Sequence, residues 1–266
     1  MAIMTITKED TILENIKAWN VYSDEYYKAA VFSNDLLHIG LGLKGIRPDE
    51  IYSGKGNLLD VGCGNGINTF LLAKMSHDEV TGIDPVESAI EDAKEKYTLP
   101  NLRFHALAFG TIPNSVAFKD VSFANVTFFG SLDYIELNDD FFHILNKITY
   151  NDSKCFITKF HPFWTTLFDG DVECEKIKSY YQPGRKDKII YGNRNKQVFM
   201  RFHYSLSHIF HIFANNGWRL DNFEEPKPDL RHSAFFYNGY NTDGIMMDRL
   251  SKIPMTIILE FTRIKT

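Results

Sequence analysis

The chain has three cysteines in 266 residues, Cys63, Cys155 and Cys174. An odd and scattered set supports no disulfide framework, and none stands in a CxxC or Cys/His cluster with metal-ligand spacing. Long apolar runs are also missing, since none approaches the roughly 18 residues a membrane span needs. The opening MAIMTITKED turns polar before an apolar signal segment can develop. Together these absences predict a reducing, cytoplasmic setting with no metal and no membrane partner. Positive charge is not in excess either. Lys and Arg number 29 against 34 Asp and Glu, a formal charge of −5, so nothing draws in phosphate backbones at long range and no nucleic acid is expected as a partner. Proline is scarce at 9 residues, whereas 22 Phe and 13 Tyr supply a heavy core or ring-lined pockets.

With no internal repeat visible, periodicity and punctuation organise the chain. Residues from about 11 to 43 read as helical, with Trp19, Tyr22 and Tyr26 sharing one face. A strand over 57–61 runs into Gly62-Cys63-Gly64-Asn65-Gly66, and Ile67–Met75 reads as a helix. Strand 79–83, helix 86–97 and strand 102–105 follow. Then come strand 125–129, helix 141–148, strand 154–160, helix Leu206–Asn215 and strands Trp218–Glu224 and 255–264. Such alternation predicts an α/β fold with helices on both faces of the sheet. The length fits one domain over residues 1–266.

Two stretches, 163–202 and 226–254, break the alternation and read as insertions. Between Gly184 and Arg201 the first holds Arg185, Lys186, Lys188, Arg194, Lys196 and Arg201 against one acid, Asp187. That pattern predicts a solvated basic face, or a surface for an anionic ligand.

Leu58 to Gly66 is the most informative segment. Glycines between a buried strand and a helix let backbone approach a ligand that side chains would exclude. Asp84 closes the next strand about twenty residues on, where a carboxylate can accept both hydroxyls of a ribose. The pairing points to a nucleoside-containing ligand. Spacing of Gly62-x-Gly64-x-Gly66 departs from the dinucleotide pattern, and Asp60 before the turn would repel pyrophosphate while attracting an ammonium group. An internal role for Asp60, as a cap on loop amides, is the alternative.

Leu58–Gly66 with Asp84 resembles the first two motifs of class I S-adenosylmethionine-dependent methyltransferases, of the small-molecule, methyltransferase type 11 kind. Trp19 to Tyr26, and His161-Pro162-Phe163 after the fifth strand, fit the same layout. The resemblance implies a Rossmann-like seven-stranded sheet with the last strand antiparallel and a helical N-terminal cap over residues 1–50. The insertions after strands five and six would cover the acceptor site. It implies S-adenosylmethionine as cofactor, with Gly62, Cys63, Gly64, Asn65 and Gly66 at the methionine part. Asp84 would hold the ribose, Pro85 would flank the adenine, and Tyr26 and Phe129 would complete the site. The stretch 105–109 has no acid, so backbone near Ala108 and Phe109 would meet the adenine.

The implied reaction is methyl transfer to a small-molecule acceptor; an RNA or protein acceptor, or a non-catalytic S-adenosylmethionine-binding protein, are the alternatives. Acid–base candidates lie where strands four and five end: Asp133, Tyr134 and, first among them, His161. His203 and Tyr204 are second-line acceptor contacts. His38 reads as a loop residue satisfying a carbonyl, with contact to either ligand as the alternative.

Overall fold

The computed structural model describes residues 8–29, 34–40, 43–169, 172–173, 176–191, 196–228 and 252–264. In chain order its elements are α1 (Lys8–Ala29), β1 (Leu58–Val61), α2 (Ile67–Met75), β2 (Val80–Asp84), α3 (Glu87–Lys96), β3 (Leu102–Ala106), β4 (Phe123–Phe129), α4 (Asp139–Lys147) and β5 (Thr149–Phe160). After these come α5 (Trp164–Leu167), β6 (Phe168–Asp169), β7 (Val172–Glu173), β8 (Arg185–Tyr191), β9 (Gln197–His203), α6 (Leu206–Asn215), β10 (Trp218–Glu224) and β11 (Thr256–Arg263).

Neighbouring residues of β1 enter opposite cores. Leu58 joins Leu71, Leu72 and Ala73 of α2 and Ile90 and Ala93 of α3. Leu59 and Val61 join Phe141, Phe142 and Leu145 of α4 and Ile209 and Phe213 of α6. A strand covered on both faces reads as a continuous apolar run, which is why 57–61 is so visible in the sequence. Seven strands form the main sheet in the order β10-β11-β5-β4-β1-β2-β3. β11 runs antiparallel to both β5 and β10, while the pairs among β1 to β5 are parallel. The sheet is therefore the expected Rossmann-like one, with its last strand reversed.

Local chemistry starts the helices. Asn138 accepts the Phe141 N–H at 3.0 Å to begin α4, with Asp139 and Asp140 at the positive end of the helix dipole. Ser205 accepts the His208 N–H at 3.3 Å to begin α6. Phe213 then stacks on Phe261 of β11 with ring centroids 4.2 Å apart.

One expectation changes and two are refined. The helix over 11–43 ends at Ala29, and residues 34–40 are bends leading to a bridge between Leu37 and Ile46. Gly40 and Gly45 have φ of +146° and +94°, outside any helix. The stretch 163–202 carries elements of its own, α5, the β6–β7 pair and the β8–β9 hairpin. The other, 226–254, lies mostly outside the described residues.

The expected basic face of the hairpin forms in part: Lys186, Lys188 and Lys196 are exposed, whereas Arg185 and Arg201 turn inward. Asp187 is buried and takes a bidentate pair from Arg185, at 2.8 Å to each oxygen, with Lys178 at 3.5 Å. Although burial pushes the Asp187 carboxyl up, Arg185 and its neighbours hold it below the ordinary range. Arg201 is 1% exposed, with its guanidinium 5.5 Å over the Phe160 ring and Nη2 donating to the Phe168 carbonyl. Strand alternation sends Arg185 and Arg201, with Asp187, to the packed side of the hairpin and leaves Lys186 and Lys188 on the outer one.

Candidate active site

A cavity of about 950 Å³ opens where β1 separates the strands that run on to β4 and β5 from those that run to β2 and β3. In open α/β sheets this reversal point is where ligands bind. Every residue expected at the cofactor lines the cavity except Gly66, which caps α2 behind it.

The glycine loop is shaped by contacts that admit no side chain. Gly62 has φ of +74°, and a Cβ there would lie 2.3 Å from the Ser131 Cβ. Gly66 has φ of +80°, and a Cβ would meet Phe104 at 2.7 Å. The Gly62 and Cys63 N–H groups both donate to the Ile83 carbonyl, at 2.8 and 3.0 Å, folding the loop back over β2.

Asp84 fixes the loop. Its Oδ2 accepts the Gly64 N–H at 3.0 Å and its Oδ1 the Val86 N–H at 2.9 Å. Asp60 binds no loop amide; its two oxygens accept the hydroxyls of Thr69 at 2.6 Å and Thr127 at 2.9 Å. Burial pushes the Asp60 carboxyl up to about 6, against the lowering effect of those donors. It does the same to Asp84, to about 6, against its two amides. Two carboxyls that have lost water, face a cavity and keep spare lone pairs suit a ligand rich in hydroxyl or ammonium donors. Cys63, beside both, has its thiol raised well above the ordinary range by burial.

The roof of the cavity is α1, docked on the hairpin. Asn15 donates to the Met200 carbonyl at 2.9 Å and accepts the Met200 N–H at 2.7 Å. Trp19 packs on Phe199 at 4.9 Å and edge-on to Tyr134 at 5.8 Å. Aromatic pairs of this kind add about 0.5–1.5 kcal/mol each beyond their buried area. Trp19, Tyr22 and Tyr26 line the cavity, and Trp19 and Tyr22 also pack the helix down on Phe199. Tyr26 Oη lies 3.1 Å from His38 Nε2. The His38 backbone is clamped by Asn68 through two 2.8 Å hydrogen bonds, and burial lowers its imidazole to about 4, so the ring is neutral. Burial pushes the Tyr134 hydroxyl far up, with the Asp133 charge adding to it.

The far wall contains an ion pair. Lys159 Nζ lies 2.9 Å from Asp133 Oδ1, with side chains 2% and 1% exposed. Asp133 Oδ2 accepts the Phe160 N–H at 2.9 Å.

His161 stands elsewhere and is not among the residues that line the cavity. Its Nδ1 accepts the Phe163 N–H at 3.0 Å, which leaves Nε2 to donate to Glu225 at 2.7 Å. Burial lowers its imidazole, partly offset by Glu225. His203 is similarly engaged, between Thr165 at 2.8 Å and the Tyr180 carbonyl at 2.9 Å. Tyr204 accepts the Leu137 N–H at 2.9 Å inside the core. Of the acid–base candidates, the structure brings Asp133 and Tyr134 to the cavity.

Sequence reasoning missed Asn15, Asn68, Thr69, Thr127 and Lys159. A signal existed for one of them: Lys159 interrupts an apolar strand end. Among the described residues no helix is long and apolar enough to cross a membrane, and no group of three or more His, Cys, Asp or Glu could hold a metal.

The model of the methyltransferase domain family matches residues 53–201, more than half of the chain. No curated protein matches it in sequence. Among solved structures, a methyltransferase from Methanosarcina mazei that depends on S-adenosylmethionine (SAM) superposes with a TM-score of 0.56 and 14% identity, over 82% of this chain and 97% of its own. DhpI, solved as a complex with SAH (S-adenosylhomocysteine), gives 0.58 and 12% over 98% and 100%. SpnF, a [4+2]-cyclase, gives 0.62 and 12% over 94% and 96%. Identities this low establish a shared fold, and the family match adds the glycine loop, β1 to β5 and most of the hairpin. The chain belongs to the methyltransferase domain family and has the fold of its S-adenosylmethionine-dependent members.

Proposed function

We propose that the protein transfers a methyl group from S-adenosylmethionine to a small-molecule acceptor. The observation that carries this reading is one roofed cavity with two unlike halves, a glycine loop with two buried carboxyls on one side and aromatic rings on the other. Its volume of about 950 Å³ is near the top of the roughly 300–1,000 Å³ usual for small-molecule sites, room for a nucleoside and a second compact molecule.

The residues present fit the cofactor. Asp84 would accept the ribose hydroxyls, Asp60 would face the ammonium end, and Pro85, Ala108 and Phe109 would flank the adenine. Tyr26 and Phe129 would close over the remainder. Bound there, S-adenosylmethionine supplies an electrophilic methyl group. The protein's own part is alignment and exclusion of water: α1 shuts the cavity from above, and Trp19, Tyr22 and Tyr134 give it walls that hold no water. Tyr134 stands on the acceptor side. His161, tied to Glu225 and the Phe163 amide, positions the corner between β5 and α5 and does not reach the acceptor.

Calorimetric titration with S-adenosylhomocysteine, with NADH as control, tests the reading. Micromolar binding of the former alone, lost in Asp84→Ala, is the expected result. Binding of NADH, or of neither, overturns it. Because SpnF shows that a cyclase can use this fold, an acceptor assay must follow a labelled methyl group into the product.

A further inference from the structure

Three buried side-chain polar atoms among the described residues have no hydrogen-bond partner: Asp133 Oδ1, Thr158 Oγ1 and Arg201 Nε. Buried polar atoms are normally satisfied, so each orphan calls for a cause. All three gather at one place, the end of β5. Thr158 belongs to it. Asp133 Oδ1 is 2.9 Å from Lys159 Nζ, an ion pair too poorly angled for a directed hydrogen bond. Arg201 lies over the ring of Phe160. Thr158, Lys159, Phe160 and Asp133 all line the cavity.

The wall there is rich in cations: behind the Lys159–Asp133 pair, Arg185, Lys178 and Arg201 all act on the Asp187 carboxylate. His161 and His203, which both feel the Lys159 charge, have lowered imidazoles and add no acid. Besides Asp133, the Lys159 ammonium has one acceptor among the described residues, the Phe160 carbonyl at 3.3 Å. An ammonium offers donors only, so its spare capacity selects an acceptor atom, and the neighbouring cations favour one that carries negative charge.

Resting on the methyl-transfer reading, we infer that the end of β5 is the polar end of the acceptor subsite. It takes a small, flat, apolar molecule through an oxyanion, a phenolate or a carboxylate, held by Lys159. Trp19, Tyr134 and Phe160 supply the ring walls that such a body needs. Asp133 competes for the same ammonium and is a positioning residue, keeping Lys159 oriented until the oxyanion arrives.

The test uses protein saturated with S-adenosylhomocysteine and 4-nitrophenol as probe, whose visible absorbance separates phenol from phenolate. The expected result is a phenolate-to-phenol ratio raised by about tenfold at fixed pH on binding, the size of effect an adjacent cation exerts on an acid. Lys159→Met abolishes the shift while affinity for S-adenosylhomocysteine stays the same. Asp133→Asn keeps an oxygen for the Phe160 amide, removes the competing charge and enlarges the shift; a merely structural pair would not enlarge it. Displacement of the probe by benzoate assigns carboxylates to the site, and resistance to benzoate with retained phenolate assigns phenols. No shift in the wild type, an equal shift in Lys159→Met, or displacement by benzamide as readily as by benzoate overturns the inference. Failure of S-adenosylhomocysteine to bind at all removes the underlying functional reading instead.

Discussion

One half of the cavity is built from backbone and the other from side chains. On the first, Gly62, Gly64 and Gly66 all have positive φ, loop amides point at Ile83 and Asp84, and the whole device lies within residues 60–86. On the second, Asn15, Trp19, Tyr134, Lys159 and Phe199 meet from four separate segments. The difference teaches how one fold can keep a cofactor while changing its acceptor. A backbone site tolerates few substitutions, whereas a side-chain wall can be rewritten residue by residue without disturbing the sheet. The two halves should therefore respond differently to mutation.

The largest effect is expected at Gly62→Val. A β-branched residue at φ of +74°, with its Cβ pressed to 2.3 Å from Ser131, forces the loop away from β4. Strain of this kind costs about 3 kcal/mol, and collision adds to it. A urea denaturation curve should show that loss together with loss of S-adenosylhomocysteine binding. Near-normal stability and affinity would mean the loop is not the rigid element described.

Protonation separates the halves without mutation. Asp60 and Asp84 sit at about 6, above the ordinary 3.8. An acid raised on folding favours the native state while protonated, so its contribution is complete below about pH 3.8 and fades as pH rises through about 6. The ligand-free protein thus loses stability over that interval, and a ligand bringing hydroxyl and ammonium donors restores it. The thermal upshift caused by S-adenosylhomocysteine should be clearly larger at pH 7 than at pH 5. Equal upshifts would show that the two carboxyls do not meet the ligand.

Asn15→Ala breaks the roof rather than the floor. It leaves the buried N–H and C=O of Met200 without their partner and should cost about 2 kcal/mol. Since α1 then comes away from Phe199, 4-nitrophenol binding should fall further than S-adenosylhomocysteine binding. An equal fall in both would show that α1 serves the cofactor alone.

The same contrast decides what could be read from the sequence. The cofactor half was legible because its parts stand a fixed, short distance apart, strand, glycines and next carboxylate, and because sterics leave only glycine at such positions. Strands buried on both faces were legible for a similar reason. Asp60 was assigned an ammonium or loop amides, since nothing in a linear reading tells that Thr127 lies in register beside it. The cationic run of 185–201 looked like a surface because its one acid seemed outnumbered; pairing of β8 with β9 makes Asp187 the shared centre. Lys159 was passed over as a strand residue, because its partner Asp133 lies on a different segment.

His161 was chosen as a base for being at the end of β5, where such residues belong, and it carries the smallest expected effect. Both its nitrogens are spent, on Glu225 and on the Phe163 amide, and its ring is outside the cavity. His161→Gln keeps a donor and an acceptor and should lower stability by about 1 kcal/mol. Affinity for S-adenosylhomocysteine should not change, and turnover of any acceptor the wild type methylates should stay within about twofold, a difference too small to assign a proton transfer. A fall of more than about a hundredfold at unchanged cofactor affinity, the scale of general acid–base catalysis, would mean that the acceptor extends past Phe160 to the β5–α5 corner. The side-chain half would then be larger than the cavity that defines it, and Glu225 would join Lys159 among the groups that choose the substrate.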